Sequence, residues 1–172
     1  MSSFKVNREL RAGGYRLRDV FSGLEGVKSL QKCIGDNGRL AKILEETYVT
    51  LTNEPEYMYI NDRDGSLIVG LDYLKTGALR YLYLDVIHEL VHVKQHLDGK
   101  KLFDKSYSYV DRPTEIEAYR CCVEEARKIG MTESALTDYL YVEWITRAEH
   151  RRLLKTLEVQ LVHHEHVRAS RR

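Results

Sequence analysis

The residues His88-Glu89-Leu90-Val91-His92 lie inside a long apolar segment and restrict the chain more than any other five. Two histidines four apart on a helix project from one face, so their imidazoles can share one metal ion. The glutamate beside the first histidine is then placed to activate a water molecule. Val86, Ile87, Leu90, Val91 and Val93 flank the motif, which predicts a buried helix and a water-excluding wall around the site. Zinc hydrolases, most often peptidases, are built on this arrangement.

At 172 residues the chain can bury the core of one domain. A net charge of +1, with both signs interspersed, points to neither nucleic acid nor an anionic membrane. No run approaches the ~18 apolar residues of a membrane span, and the first residues lack a secretion-signal core. The 3 cysteines, with Cys121 and Cys122 adjacent, form neither a disulfide framework nor a zinc ribbon. A reducing compartment, the cytoplasm, is the expectation.

Residues 1–16 are polar and basic, contain Gly13-Gly14, and read as a loose arm. Val20, Leu24, Val27, Leu30 and Ile34 recur at helical spacing up to Gly35. Asp36-Asn37-Gly38 is a turn signal, and a short helix from Arg39 to Glu46 follows. Three β-branched and aromatic runs begin at Tyr48, Tyr57 and Leu67, the last two joined by the hairpin signal Asn61-Asp62-Arg63-Asp64-Gly65. A long helix is expected over 77–97 and a loop over 99–111. Pro113 and Gly130 bracket a helix over 112–129. Further helices are expected over 133–145 and, behind a Thr146/Glu149 capping box, from Arg147. The fold class is therefore α+β: a small three-stranded sheet packed on the motif helix and the 112–129 helix. Residues 17–130 form the domain, and 131–172 form a helical extension packed on it, ending in a polar tail.

Two histidines do not hold a catalytic zinc; a third protein ligand is needed. His96 is excluded, because positions eight apart on a straight helix lie about 12 Å apart along its axis. Asp98 requires a sharp turn after the motif, and Gln95 stands where a glycine would make one. On the 112–129 helix, Ile116, Tyr119, Cys122, Val123, Ala126 and Ile129 form the inward stripe, with Glu115 at its edge. Glu117 falls with Arg120, Cys121, Glu124 and Lys128 on the opposite, wet face. An inward carboxylate needs a partner, either a metal ion or a neighbour such as Arg112 or Arg120. The pattern favours Glu115 and leaves Glu117 and Asp98 open.

The motif, followed by Pro113-Thr114-Glu115-Ile116-Glu117-Ala118-Tyr119, resembles the gluzincin metallopeptidases. The likeness is to their minimal small-domain forms and the ImmA/IrrE-like peptidases, and it covers roughly residues 38–130. It implies a minimal metallopeptidase domain with His88, His92 and Glu115 on zinc. The chain departs from the pattern at Tyr119, where such families often carry Asp or Asn.

The expected chemistry is zinc-assisted amide hydrolysis, with Glu89 as general base and later as proton donor to the leaving amine. Tyr107, Tyr109, Arg112 and His150 are candidate oxyanion donors. A peptide or protein substrate would add in extended form to a sheet edge near Tyr57 and Tyr59. The alternative expectation is a regulatory or binding protein that keeps a zinc-site fold without proteolysis. From Arg147 onward seven Lys/Arg face three Glu, so the C-terminal segment could cover the core, gate the cleft or meet a partner. Cys122 is a candidate inhibitory thiolate or a core residue, and His163, His164 and His166 could bind a stray metal.

Overall fold

The computed structural model of the chain describes residues 3–35 and 37–161. It is α+β, with eight α-helices and two small sheets among those residues. The polar tail and His163, His164 and His166 lie outside the described residues, as does Asp36 of the expected turn.

The N-terminal segment corrects the expectation of a loose arm. It forms β1 (Lys5–Val6) and β2 (Gly13–Arg16), and the single turn α1 (Leu17–Val20) leads into β3 (Phe21–Ser22). β1 and β3 make a two-stranded antiparallel sheet. Phe4 is buried, its ring 6.1 Å from that of Phe21 and 4.9 Å from that of Tyr83. Arg8 donates to the carbonyls of Lys75 and of Gly77, the latter at 2.7 Å. A polar composition hid these anchors because the segment contributes Phe4, backbone pairing and the scattered, partly buried Val6, Leu10 and Tyr15 rather than a continuous apolar face.

The helix expected over Val20–Ile34 is interrupted by β3 and resumes as α2 (Lys28–Ile34). Gly23 forces the break: its φ is +82°, and a Cβ there would lie 2.1 Å from the Ser3 carbonyl oxygen. All five apolar positions are nevertheless buried. α3 (Asn37–Glu46) then leads into β4 (Tyr48–Thr52), β5 (Met58–Ile60) and β6 (Leu67–Gly70). The sheet has four strands rather than three, in the order β2-β4-β6-β5, because β2 pairs antiparallel with β4. β4 and β6 run parallel, while β5 closes the far edge antiparallel to β6. The hairpin signal works as read: Gly65, at φ +73°, donates to Asn61 O at 2.8 Å.

The 77–97 expectation becomes α4 (Leu71–Thr76), a break at Gly77, and α5 (Leu79–Leu97). α6 (Pro113–Lys128) packs along α5 and also against α2. The α2 contact buries Cys121, which the helical wheel had put on the wet face. α7 (Glu133–Tyr139) stops six residues before the expected Ile145. Leu140, Val142 and Ile145 are all buried, and a continued helix would turn 140 and 142 about 200° apart. α8 (Arg147–Thr156) starts at Thr146 and Glu149, whose capping box is fully formed. No helix among the described residues is long and apolar enough to cross a membrane.

Candidate metal centre

α5 is buried along most of its length, so His88, Glu89 and His92 all point into protein. α6 crosses beside it, and its first turn brings Glu115 to the histidine pair. Nε2 of His88 lies 3.0 Å from Nε2 of His92. Oε2 of Glu115 lies 3.3 Å from the first and 3.5 Å from the second. An ion held at about 2.0–2.1 Å by three tetrahedral ligands spaces the ligand atoms roughly 3.3 Å apart. The buried His88, His92 and Glu115 group could therefore hold a metal ion. Two imidazoles and a carboxylate are donors that suit it.

Electrostatics favour the same reading. Burial holds His88 below its ordinary pKa, which leaves a neutral ring with a lone pair to offer. Burial also opposes the charge on His92, but the Glu115 hydrogen bond and the nearby Glu89 and Glu115 charges outweigh it and raise His92 to about 9. Burial would raise Glu115 too, yet hydrogen bonds and charge from the two histidines keep it well below the usual carboxylate range. A metal bound here would have to displace a proton from His92 and would meet a carboxylate already ionised.

The two rings are oriented differently from behind. Nδ1 of His92 donates to Oε1 of Gln95 at 2.7 Å, and Gln95 Nε2 donates to Thr114 O and to Glu117 Oε2. Nδ1 of His88 is buried without a hydrogen-bond partner among the described residues. Its ring is held instead by Tyr119, with centroids 4.4 Å apart.

The ligand group opens on a cavity of about 320 Å³. β5 contributes Met58, Tyr59 and Ile60 to its wall, and α5 contributes Asp85 and Glu89. Phe103, Tyr109 and Arg112 come from the segment before α6, and Tyr139, Val142 and Trp144 from α7 and the turn after it. Burial pushes Glu89 up to about 8, with the Ile60 backbone amide donating to its carboxylate. Asp85 accepts hydrogen bonds from Tyr73 and, at 3.0 Å, from Tyr139.

No family model, no curated protein and no solved structure matches the chain. The site is therefore read on its own geometry.

The structure brings some of the sequence candidates together and separates others. His88, Glu89, His92, Tyr109, Arg112 and Glu115 share the cavity. Tyr107 is 47% exposed and does not line it. His150 is turned away, its Nε2 2.9 Å from Thr137 O. Asp98 pairs with Arg39 and Lys94, and His96 packs on Gly65. Glu117 pairs with Lys94 and Lys100. Cys122 is a core residue whose thiol donates to Leu84 O at 3.3 Å, and burial raises it well above an ordinary thiol.

Sequence reasoning missed Gln95 and Asp85, although each lies three residues from a motif histidine on the same helical face. It also missed Tyr139, Val142 and Trp144, for which no local pattern gives a signal.

Proposed function

We propose that the chain is a zinc-dependent metallopeptidase of gluzincin type, with His88, His92 and Glu115 as zinc ligands and Glu89 as general base. One observation carries this reading: the ligand group, a buried carboxylate of raised basicity and the edge strand β5 all meet in one cavity. Zinc bound there would supply Lewis acidity toward a water molecule and a substrate carbonyl.

The chain's own groups account for the remaining steps. β5 offers its open edge to an extended peptide, with Tyr59, 42% exposed, beside it. Glu89, desolvated and raised, takes the proton of the attacking water and passes it to the leaving amine. Tyr109 donates to the developing oxyanion. Burial and the nearby Tyr119, Glu115 and Glu89 raise its phenol well above 10, so it stays protonated. The Tyr119 hydroxyl, 2.7 Å away, fixes its position.

Zinc stoichiometry by elemental mass spectrometry tests the ligands, on wild type, Glu115→Ala and Glu89→Gln. The expected result is one zinc per chain in wild type and Glu89→Gln, and little in Glu115→Ala. Glu89→Gln should also lose peptide cleavage by roughly 10²–10⁴-fold. No zinc in reconstituted wild type overturns the enzyme reading. Zinc without cleavage of any peptide favours a non-proteolytic binding protein on the same fold.

A further inference from the structure

Arg112 stands out among the cavity's groups because its charge is poorly matched. It is the N-cap residue of α6, and its side chain, 14% exposed, turns onto the cavity wall. Phe103 and Tyr109 flank the guanidinium, with its carbon 5.9 Å and 5.8 Å from their ring centroids. Rings of this kind hold a cation but accept none of its forked hydrogen bonds in the guanidinium plane. Its one carboxylate contact among the described residues, Nη1 to Oε1 of Glu115 at 3.4 Å, is long for a charged pair. Nε is buried without a hydrogen-bond partner among the described residues.

The other carboxylates of the cavity are engaged elsewhere. Oε2 of Glu115 faces both histidines, Asp85 takes two tyrosine hydroxyls, and Glu89 takes the Ile60 amide. A guanidinium so desolvated and so thinly paired is costly unless an anion completes it. Its planar fork fits a carboxylate better than any neutral acceptor.

We propose that Arg112 receives the free C-terminal carboxylate of a peptide, so that the enzyme removes residues from the C-terminal end. This deepens the peptidase reading and rests on it. Cavity size agrees: about 320 Å³ lies at the small end of ligand cavities, roughly 300–1,000 Å³, and has room for a terminal residue and its carboxylate. The walls name the side chain beside that carboxylate. Phe103, Val142 and Trp144 give an apolar lining with an aromatic rim, which selects a large apolar or aromatic terminal residue.

The test uses the zinc-loaded full chain and matched peptides ending in phenylalanine, one set as free acids and one as amides. Free acids should be cleaved with kcat/KM higher by at least about tenfold. In Arg112→Lys and Arg112→Gln that preference should collapse through KM for the acids, with zinc retained and the loss for acids exceeding the loss for amides by at least about tenfold. If Arg112 serves only to orient Glu115, the variants will instead lose zinc and slow both sets equally, which overturns the proposal. Binding of N-acetyl-L-phenylalanine and of its amide, followed by chemical-shift changes in the metal-free protein, separates the two readings. Acid binding that vanishes in Arg112→Gln, without cleavage of any peptide, upholds the carboxylate site and removes the peptidase. Equal cleavage of acids and amides keeps the peptidase and overturns the carboxylate site, as does failure of the acid to bind.

Discussion

The ring of His92 is fixed from behind by Gln95, which is fully buried and anchored on α6 through Thr114 and Glu117. Gln95→Leu keeps the bulk but removes the acceptor, leaving a buried Nδ1–H unpaired. Metal affinity, measured by competition with a chromophoric chelator, should fall about 10–100-fold. An unchanged affinity would mean that packing alone orients the ring. The histidines and Glu115 were legible because helical geometry fixes which side chains share a face, and one strong motif named the face. Gln95 looked like nothing more than a missing turn glycine, since its role appears only once the start of α6 is placed against it. Glu117, which periodicity puts on the wet face, sits half-buried behind the His88, His92 and Glu115 group and holds Gln95.

α5 and α6 are locked together at that same level, where Glu117 accepts from Lys94 at 2.7 Å and from Lys100 at 2.8 Å. Burial would raise its carboxyl, but hydrogen bonds from Lys100, Lys94 and Gln95 prevail and hold it at about 2, below the ordinary 4.5. A depressed folded-state pKa stabilises the fold above the unfolded value, and that contribution drains away as pH falls from 4.5 through about 2. The Glu117 side chain is 31% exposed, so screening limits its worth to about 1 kcal/mol. Urea denaturation of Glu117→Gln should therefore show a loss of about 1 kcal/mol at pH 7. The gap to wild type should narrow at pH 4 and close toward pH 2. A constant gap across that range would assign the loss to packing rather than charge. Element boundaries were legible where a chemical signal marked them, as at Pro113, Gly130 and Thr146. They were not where continuity depended on a distant strand: Gly23 breaks a helical repeat because Ser3 passes against it, and β2 is a strand because β4 is there to pair with it.

At the scale of the molecule, the cavity draws on β5, α5, the approach to α6 and the segment 139–144. The C-terminal extension is thus part of the cavity wall as well as a cover for the core, with Tyr139 bonded to Asp85 and Arg152 paired with Asp111 at 2.8 Å. Sequence reasoning could say that apolar faces at 136–157 must be covered, but not that covering them would place Trp144 at the mouth of the site. An ion shared by α5 and α6 couples its binding to the packing of both helices, because the unfolded chain does not hold the three ligands together. At a free metal concentration about a thousandfold above Kd, the linkage is worth roughly 4 kcal/mol, or about 8–16 °C in Tm for a chain of this size. Zinc titrated into chelator-treated protein should move one cooperative transition upward by that order, followed by calorimetry. In Glu115→Ala the transition should stay still. Because the 131–161 segment shares its core with the domain, it should melt within the same transition in both proteins. A wild-type Tm that zinc does not move would remove the metal site. A second, separate transition would show that the extension is an appendage, and that the wall it lends to the cavity can open on its own.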